Sequence, residues 1–272
     1  MKRQDIITQS DFSQFLSSGA FLRWGDSWIL FKGPFWLLGD NEKSEFSLSV
    51  PEFFAVEHGK FLRPTEVFHL DSGTLGRLAL QFYESQKTQS PAHQWLEPSF
   101  EEFSNIFSAI KKLISQGQID KAVPVVSSRS PARVNFQERA GILLNLLKAP
   151  PALHPFGFWD DGEGILGASP ELLCEVQGLS VSTMALAGTL PKGGEGSAES
   201  LLRDPKERHE HQLVVSDIVS RLEALGHIRV MDTRVLDLPT LWHLVTDIQV
   251  RLFERPEFRK LVQILHPTAA LG

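Results

Sequence analysis

The sequence predicts an α+β fold, with large, mostly antiparallel β-sheets and helices packed outside them. Three observations carry this expectation. Short, aromatic-rich apolar runs broken by turn residues fill the first third of the chain. An amphipathic helix and a long helix then interrupt further strand-like segments. The order is strands, helix, strands, without the regular βαβ alternation that builds a parallel sheet.

The first runs, Ala20 to Trp24, Trp28 to Phe31 and Phe35 to Leu38, are separated by Gly-Asp or Gly-Pro and read as a meander of strands. Ser85 to Pro98 is polar, carries two prolines and marks the best candidate boundary, dividing residues 1–97 from 98–272. A helix follows. Ser99 and Glu102 have the spacing of a capping box, and Phe103, Ile106, Phe107, Ile110, Leu113 and Ile114 share one face before Gly117. Asp120 to Val126 is a β-branched strand candidate, and its Pro124 argues for an edge or a bulge. Residues 155–190 read as successive strands, with one hairpin turn within FGFWDDGEGILG and another at Gln177-Gly178. A long helix is expected from Ala198 to about Leu225, followed by the strands HIRVMDTRVLDL and HLVTDIQVRLF.

Composition narrows the function. With 272 residues, 42% hydrophobic and 22% charged, the chain is long and apolar enough for a packed core. Its 33 acidic and 27 basic residues give a net charge of −6, and Lys111-Lys112 is the one Lys-Lys pair, so no nucleic acid partner is expected. The lone Cys174 excludes an intrachain disulfide and suits a reducing cytoplasm. The start, MKRQDIITQSDF, has no apolar h-region, and no run reaches the length of a membrane span. A soluble cytoplasmic protein is the expectation.

Four groupings could carry chemistry. Glu207 and Glu210, three apart on the long helix, share a face and could offer oxygens to a hard cation such as Mg²⁺. Alone, such a pair is ordinarily solvated. Neighbouring His209 and His211 do not make a zinc site, because H-E-x-x-H needs a histidine where Leu213 stands. Glu171, directly after Ser169-Pro170, is a candidate general acid on a fixed backbone, or a plain turn carboxylate. Ala187-Gly188-Thr189 forms a tight turn of small residues whose amides could approach an anion. The LPKGGEG that follows lacks the spacing of a phosphate loop. Lys121 enters an apolar strand, where burial favours the neutral amine of a lysine; an edge-strand lysine that blocks aggregation is the commoner case.

Order and spacing together say more than any one of these. GASPELL, ALAGTLPKG, DPKERHEHQLVVSDI, HLVTDIQVRL and LHPTAALG, in that order from about Phe100 to Gly272, resemble the chorismate-binding enzymes. That family includes isochorismate, salicylate, anthranilate and aminodeoxychorismate synthases. The resemblance implies that residues 1–97 are a strand-rich region of the same fold and 98–272 the chorismate-binding region. It implies that Glu207 and Glu210 hold Mg²⁺, which grips a carboxylate of the small-molecule substrate chorismate. Ala187, Gly188 and Thr189 would line the substrate, with His243 near it. It further implies that Lys121 is the base of a water-adding member, since ammonia-using members carry Gln at that position, and that Glu171 protonates the departing C4 hydroxyl. Aminodeoxychorismate synthases carry a lysine where Ala187 stands, and no Leu-Leu-Glu-Ser tryptophan element is present.

The implied activity is therefore an isochorismate synthase of menaquinone or siderophore biosynthesis. A salicylate synthase and an inactive chorismate-binding homologue stay open as alternatives. Two departures bear on this. Arg129 lies further along than the family's Lys-x-Val-x-x-Arg pattern places it. The family also continues beyond its HPT-A-x-G motif with a Gly-rich strand, an arginine and a second glutamate pair, whereas this sequence stops at Gly272. The resemblance thus implies a chorismate-binding region incomplete at its C-terminus, to be completed by further chain or by a second polypeptide.

Overall fold

The structure, a computed structural model, describes residues 6–39, 42–50, 60–85 and 93–270. In chain order the elements are α1 (Gln9–Ser17), β1 (Gly19–Trp24), β2 (Ser27–Lys32), β3 (Trp36–Leu37), β4 (Leu48–Ser49), β5 (Phe61–Arg63), β6 (Glu66–Asp71) and α2 (Ser72–Ser85). Then come α3 (Phe100–Ser115), α4 (Phe136–Leu146), β7 (His154–Asp160), β8 (Glu163–Ser169), β9 (Glu175–Gln177) and β10 (Ser180–Pro191). The last are α5 (Ala198–Arg203), α6 (Pro205–Leu222), β11 (Gly226–Val230), β12 (Arg234–Asp237), β13 (Leu241–Leu252) and α7 (Phe258–Leu265). Helices and antiparallel sheets are mixed as the sequence predicts. No helix among the described residues is long and apolar enough to cross a membrane.

The chain forms two compact units, residues 1–93 with 132–170, and residues 94–131 with 171–272. In the first, an antiparallel sheet of order β6-β2-β1-β7-β8 carries α1, α2 and α4. Its core is aromatic: Phe12, Phe15, Trp28, Phe68 and Trp159 are fully buried. The Trp159 indole donates to Phe15 O at 2.8 Å, which satisfies its one polar atom inside that core.

The second unit is built on β10 and β13, which pair antiparallel from Ser180↔Arg251 to Pro191↔Leu241 with a bulge between Ala187 and Thr189. β9 extends the sheet beside β10, and β11 and β12 both pair with β13. α6 lies on this sheet through Val214, Val215, Ile218 and Leu222, against Val181, Ala185, Ile248 and Val250. Leu261 and Leu265 bring α7 into the same core. The dry face they share stabilises the unit at about 25 cal/mol for each Å² of apolar surface removed from water.

Three expectations are corrected. Phe35 to Leu38 does not continue the meander: β3 pairs with β5, while the second edge of β2 is taken by β6. Pro34 has no N–H to extend the ladder. The expected strand from Asp120 to Val126 has no ladder among the described residues, and Val123, Val125 and Val126 stay exposed. β-branched residues favour a strand only when a partner supplies hydrogen bonds and packing. The long helix divides at Asp204, which ends α5 and caps α6, with Pro205 as the first residue of the new helix.

Candidate active site

The start of α6 is arranged unusually. Asp204 caps it by accepting the Glu207 N–H at 2.9 Å. A glutamate at the third helical position commonly reaches back to the N–H of the capping residue. Here the Asp204 N–H already bonds to Leu201 O, at 3.3 Å. Glu207 is released to point away from its helix, and its Oε2 accepts the Thr189 N–H at 2.9 Å. Its Oε1 pairs with Lys206.

Thr189 follows the bulge in β10. Gly188 makes that bulge with φ +80°, and a Cβ there would meet Glu207 O at 2.9 Å and Leu244 Cδ1 at 3.2 Å. Only a residue without a Cβ lets β10 come this close to the first turn of α6. Thr189 faces His243 across the ladder, with Oγ1 2.7 Å from His243 Nδ1. Burial lowers the His243 pKa, while a bond from the ring to the Gly188 backbone carbonyl works the other way. The Ala187 side chain points into the core, so this residue offers its carbonyl to its surroundings.

That carbonyl has a partner that sequence reasoning missed. His211, 3% exposed, places Nδ1 3.1 Å from Ala187 O and Nε2 2.7 Å from Thr246 Oγ1. A carbonyl can only accept, so Nδ1 carries the proton and Nε2 accepts from the Thr246 hydroxyl. The Thr233 hydroxyl, 2.8 Å from Thr246 Oγ1, is then the donor to Thr246. Burial lowers the His211 pKa and keeps the ring neutral, as this chain of bonds requires. The histidine that resembled a failed zinc ligand is a brace for the bulge. We expect His211→Leu to take the imidazole bond from the buried Ala187 carbonyl and leave the Thr246 hydroxyl with Thr233 as its remaining side-chain partner, at about 2–3 kcal/mol in chemical denaturation.

Lys121 lies beside the same helix. Its Nζ donates to Ala269 O at 2.6 Å and Ala270 O at 3.2 Å, and Glu210 Oε1 is 3.5 Å away. Its side chain is 14% exposed. Glu171 senses this lysine: burial pushes its carboxyl above the ordinary value, and the Lys121 charge partly opposes the rise. Contacts thus run from Lys121 to Glu210, along α6 to Glu207, and on to Thr189 and His243. Ala187, Gly188 and Glu171 complete the set named from the sequence. Arg129 stands apart, its backbone paired with Leu96 in an isolated bridge. Cys174, its thiol raised to about 11 by burial, remains an unreactive thiol.

A hard cation suits the carboxylates as a pair. Glu207 and Glu210 present oxygens one helical turn apart, and a magnesium ion bound to one or two carboxylates keeps its waters or takes substrate oxygens. Among the described residues no group of three or more His, Cys, Asp or Glu could hold a metal. A cavity of about 590 Å³ elsewhere on α6, lined by Arg203, Arg208, His209, Thr233 and others, includes His211 but none of the eight residues named from the sequence.

An antiparallel sheet whose bulge is tied to helix carboxylates, with a lysine and a raised carboxyl beside it, gathers acidic and basic side chains along the first turns of α6. Residues 72–272 match the family model described as chorismate binding enzyme. The chain belongs to that family. It is 40% identical over 114 residues to the salicylate biosynthesis isochorismate synthase of Pseudomonas aeruginosa, covering 39% of this chain and 24% of that one. It is 30% identical over 205 residues to the isochorismate synthase EntC of Escherichia coli K12, covering 71% of this chain and 51% of EntC. The chain therefore spans about half, or less, of the length of these curated relatives. The solved structure of MenF, the menaquinone-specific isochorismate synthase of Escherichia coli, superposes with a TM-score of 0.65 at 20% identity, covering 98% of this chain and 72% of that one.

Proposed function

We propose that this chain carries the base, the acid and the metal-binding carboxylates of an isochorismate synthase, which adds water at C2 of chorismate as the C4 hydroxyl leaves. The arrangement of Lys121 is the observation that carries this reading. A base must act as the deprotonated amine, which has two N–H groups and one lone pair. With the Ala269 and Ala270 carbonyls taking two N–H groups, the lone pair left once the third proton has gone would accept a proton from water. Water requires such a base to become a nucleophile.

Glu171 supplies the matching acid. Burial makes its carboxyl give up a proton less readily than an exposed glutamate does, and the protonated form would pass that proton to the departing hydroxyl, which leaves as water. The proton taken by Lys121 balances the one given by Glu171, and the ring double bonds shift between the two carbons. Ala187, Gly188 and Thr189 would line the substrate at the bulge, with the His243 ring beside them. Glu207 and Glu210 would hold Mg²⁺, which when bound offsets the charge of a substrate carboxylate. Kinship to proteins named for isochorismate synthesis supports the same reading. Menaquinone or siderophore formation would consume the product.

The test is turnover of chorismate with Mg²⁺, followed by product chromatography, beside a Lys121→Ala variant. Isochorismate should form and its rate should fall by about 10²–10⁴ in the variant. An unchanged rate in Lys121→Ala, or an aminated product formed only with ammonia, overturns the assignment.

A further inference from the structure

Beyond Glu210, α6 carries another carboxylate–cation pair on the side that faces α7. Asp217 Oδ1 accepts from Arg221 Nε at 2.7 Å, and its Oδ2 accepts the backbone N–H of Ala269 at 2.9 Å. Arg221 Nη1 donates to Ile264 O at 3.1 Å, near the end of α7. An i, i+4 pair of this kind is usually a weak surface contact. This one is different, because each partner also holds a backbone group from a distant part of the chain. Asp217 is 22% exposed.

Ala269 is the pivot. Its N–H is held from α6 by Asp217, and its carbonyl accepts from Lys121 Nζ at 2.6 Å. The turn after α7 belongs to no sheet ladder. Leu261 and Leu265 seat α7 in the core, but apolar contacts are non-directional and do not aim a carbonyl. Two bonds do so: the Ala269 N–H to Asp217 at 2.9 Å, which ties the turn to α6, and the longer, local one from the Ala270 N–H to Thr268 Oγ1 at 3.3 Å.

We propose that Asp217 is a positioning residue for Lys121, fixing the turn whose carbonyls direct the lysine amine. The catalytic half of this proposal rests on Lys121 being the base. When Asp217 is lost, the Ala269 and Ala270 carbonyls shift and the amine is released from its two acceptors. Arg221 keeps its bond to Ile264, so α7 stays docked.

The test uses the full chain and an amine-acetylating reagent at one fixed pH, with labelling read by peptide mass spectrometry. Lys148, exposed and in the other unit, is the internal reference. Asp217→Ala should raise labelling of Lys121 relative to Lys148 about tenfold, as local release of a held side chain does. Asp217→Asn, which can still accept the Ala269 N–H, should raise it less and serves if the alanine variant does not fold. In turnover, kcat should fall about ten- to hundredfold with KM for chorismate within about twofold, the pattern of a misplaced group. Unchanged Lys121 labelling in a folded Asp217→Ala protein overturns the proposal, whether or not the chain turns over chorismate. Raised labelling with unmoved kcat overturns it too, and normal turnover by Lys121→Ala would then place the fault in the assignment of the base. If the wild-type chain shows no turnover, the labelling result alone decides.

Discussion

Gly188→Ala is expected to push α6 away from β10 and to cost the second unit about 2–4 kcal/mol. Two effects add. The backbone at φ +80° is left-handed, which disfavours any side chain with a Cβ. The new methyl would also lie 2.9 Å from the Glu207 carbonyl oxygen, a backbone atom with no rotamer to escape into. Relief moves either the bulge or the first turn of the helix. Both movements break the bond from the Thr189 N–H to Glu207, so the loss reaches the carboxylate that would hold the metal. Thermal unfolding and chorismate turnover check this together. A variant that melts within about 1 °C of the wild type, where a loss of this size predicts several degrees, would show that the turn is under no such constraint.

Glu171→Gln is expected to lower turnover by about 10²–10⁴ while raising stability at neutral pH. The sign follows from burial, the larger cause, which lifts the Glu171 carboxyl above its ordinary value of 4.5. Such a group gives up its proton less readily in the folded protein than in the unfolded chain. Its contribution to stability is therefore full below about pH 4.5 and is lost as pH rises through the folded value. Glutamine does not ionise and escapes that loss. The melting temperature of the variant should exceed that of the wild type above this range, with the gap closing toward about pH 4. Wild-type turnover should decline on the alkaline side as Glu171 loses its proton. A variant less stable than the wild type at neutral pH would mean that Lys121 compensates the buried charge more than burial penalises it.

Some of this was legible in the sequence, and the rest was not for definable reasons. The hairpins β7–β8 and β9–β10 turn at Asp161-Gly162 and Gln177-Gly178, where the residue types demand it. α3 begins at its Ser99 cap, with the Glu102 N–H 3.3 Å from Ser99 Oγ. Its periodicity identified an apolar face, but Ile106, Phe107, Leu113 and Ile114 on that face are exposed. Periodicity reports which side of a helix is apolar and says nothing about what covers it. The break between α5 and α6 was readable in Asp204-Pro205, a capping residue followed by the one residue suited to open a helix.

The glutamate pair, Lys121 and Glu171 gained meaning only through resemblance, because each alone is an ordinary surface or turn residue. His211 was set aside on metal spacing, and its actual partners lie 24 and 35 residues away. One signal was available. Thr246 interrupts the buried apolar file Leu244, Ile248, Val250, Leu252, and a hydroxyl in such a file needs a partner. Asp217 carried no comparable mark, since its partner is a backbone amide.

α6 meets Thr189 through Glu207, Lys121 through Glu210, Ala187 through His211, Ala269 through Asp217 and Ile264 through Arg221. Each added or deleted residue turns everything beyond it by about 100° and moves it about 1.5 Å along the axis. A single-codon insertion between Glu207 and Arg221 would thus misdirect every later contact at once, where a point substitution would lose one. Variation in chain length has to fall elsewhere, and the exposed turn at residues 193–196 between β10 and α5 can absorb it. Descent with working chemistry should leave the interval from Glu207 to Arg221 constant in length even where its letters change.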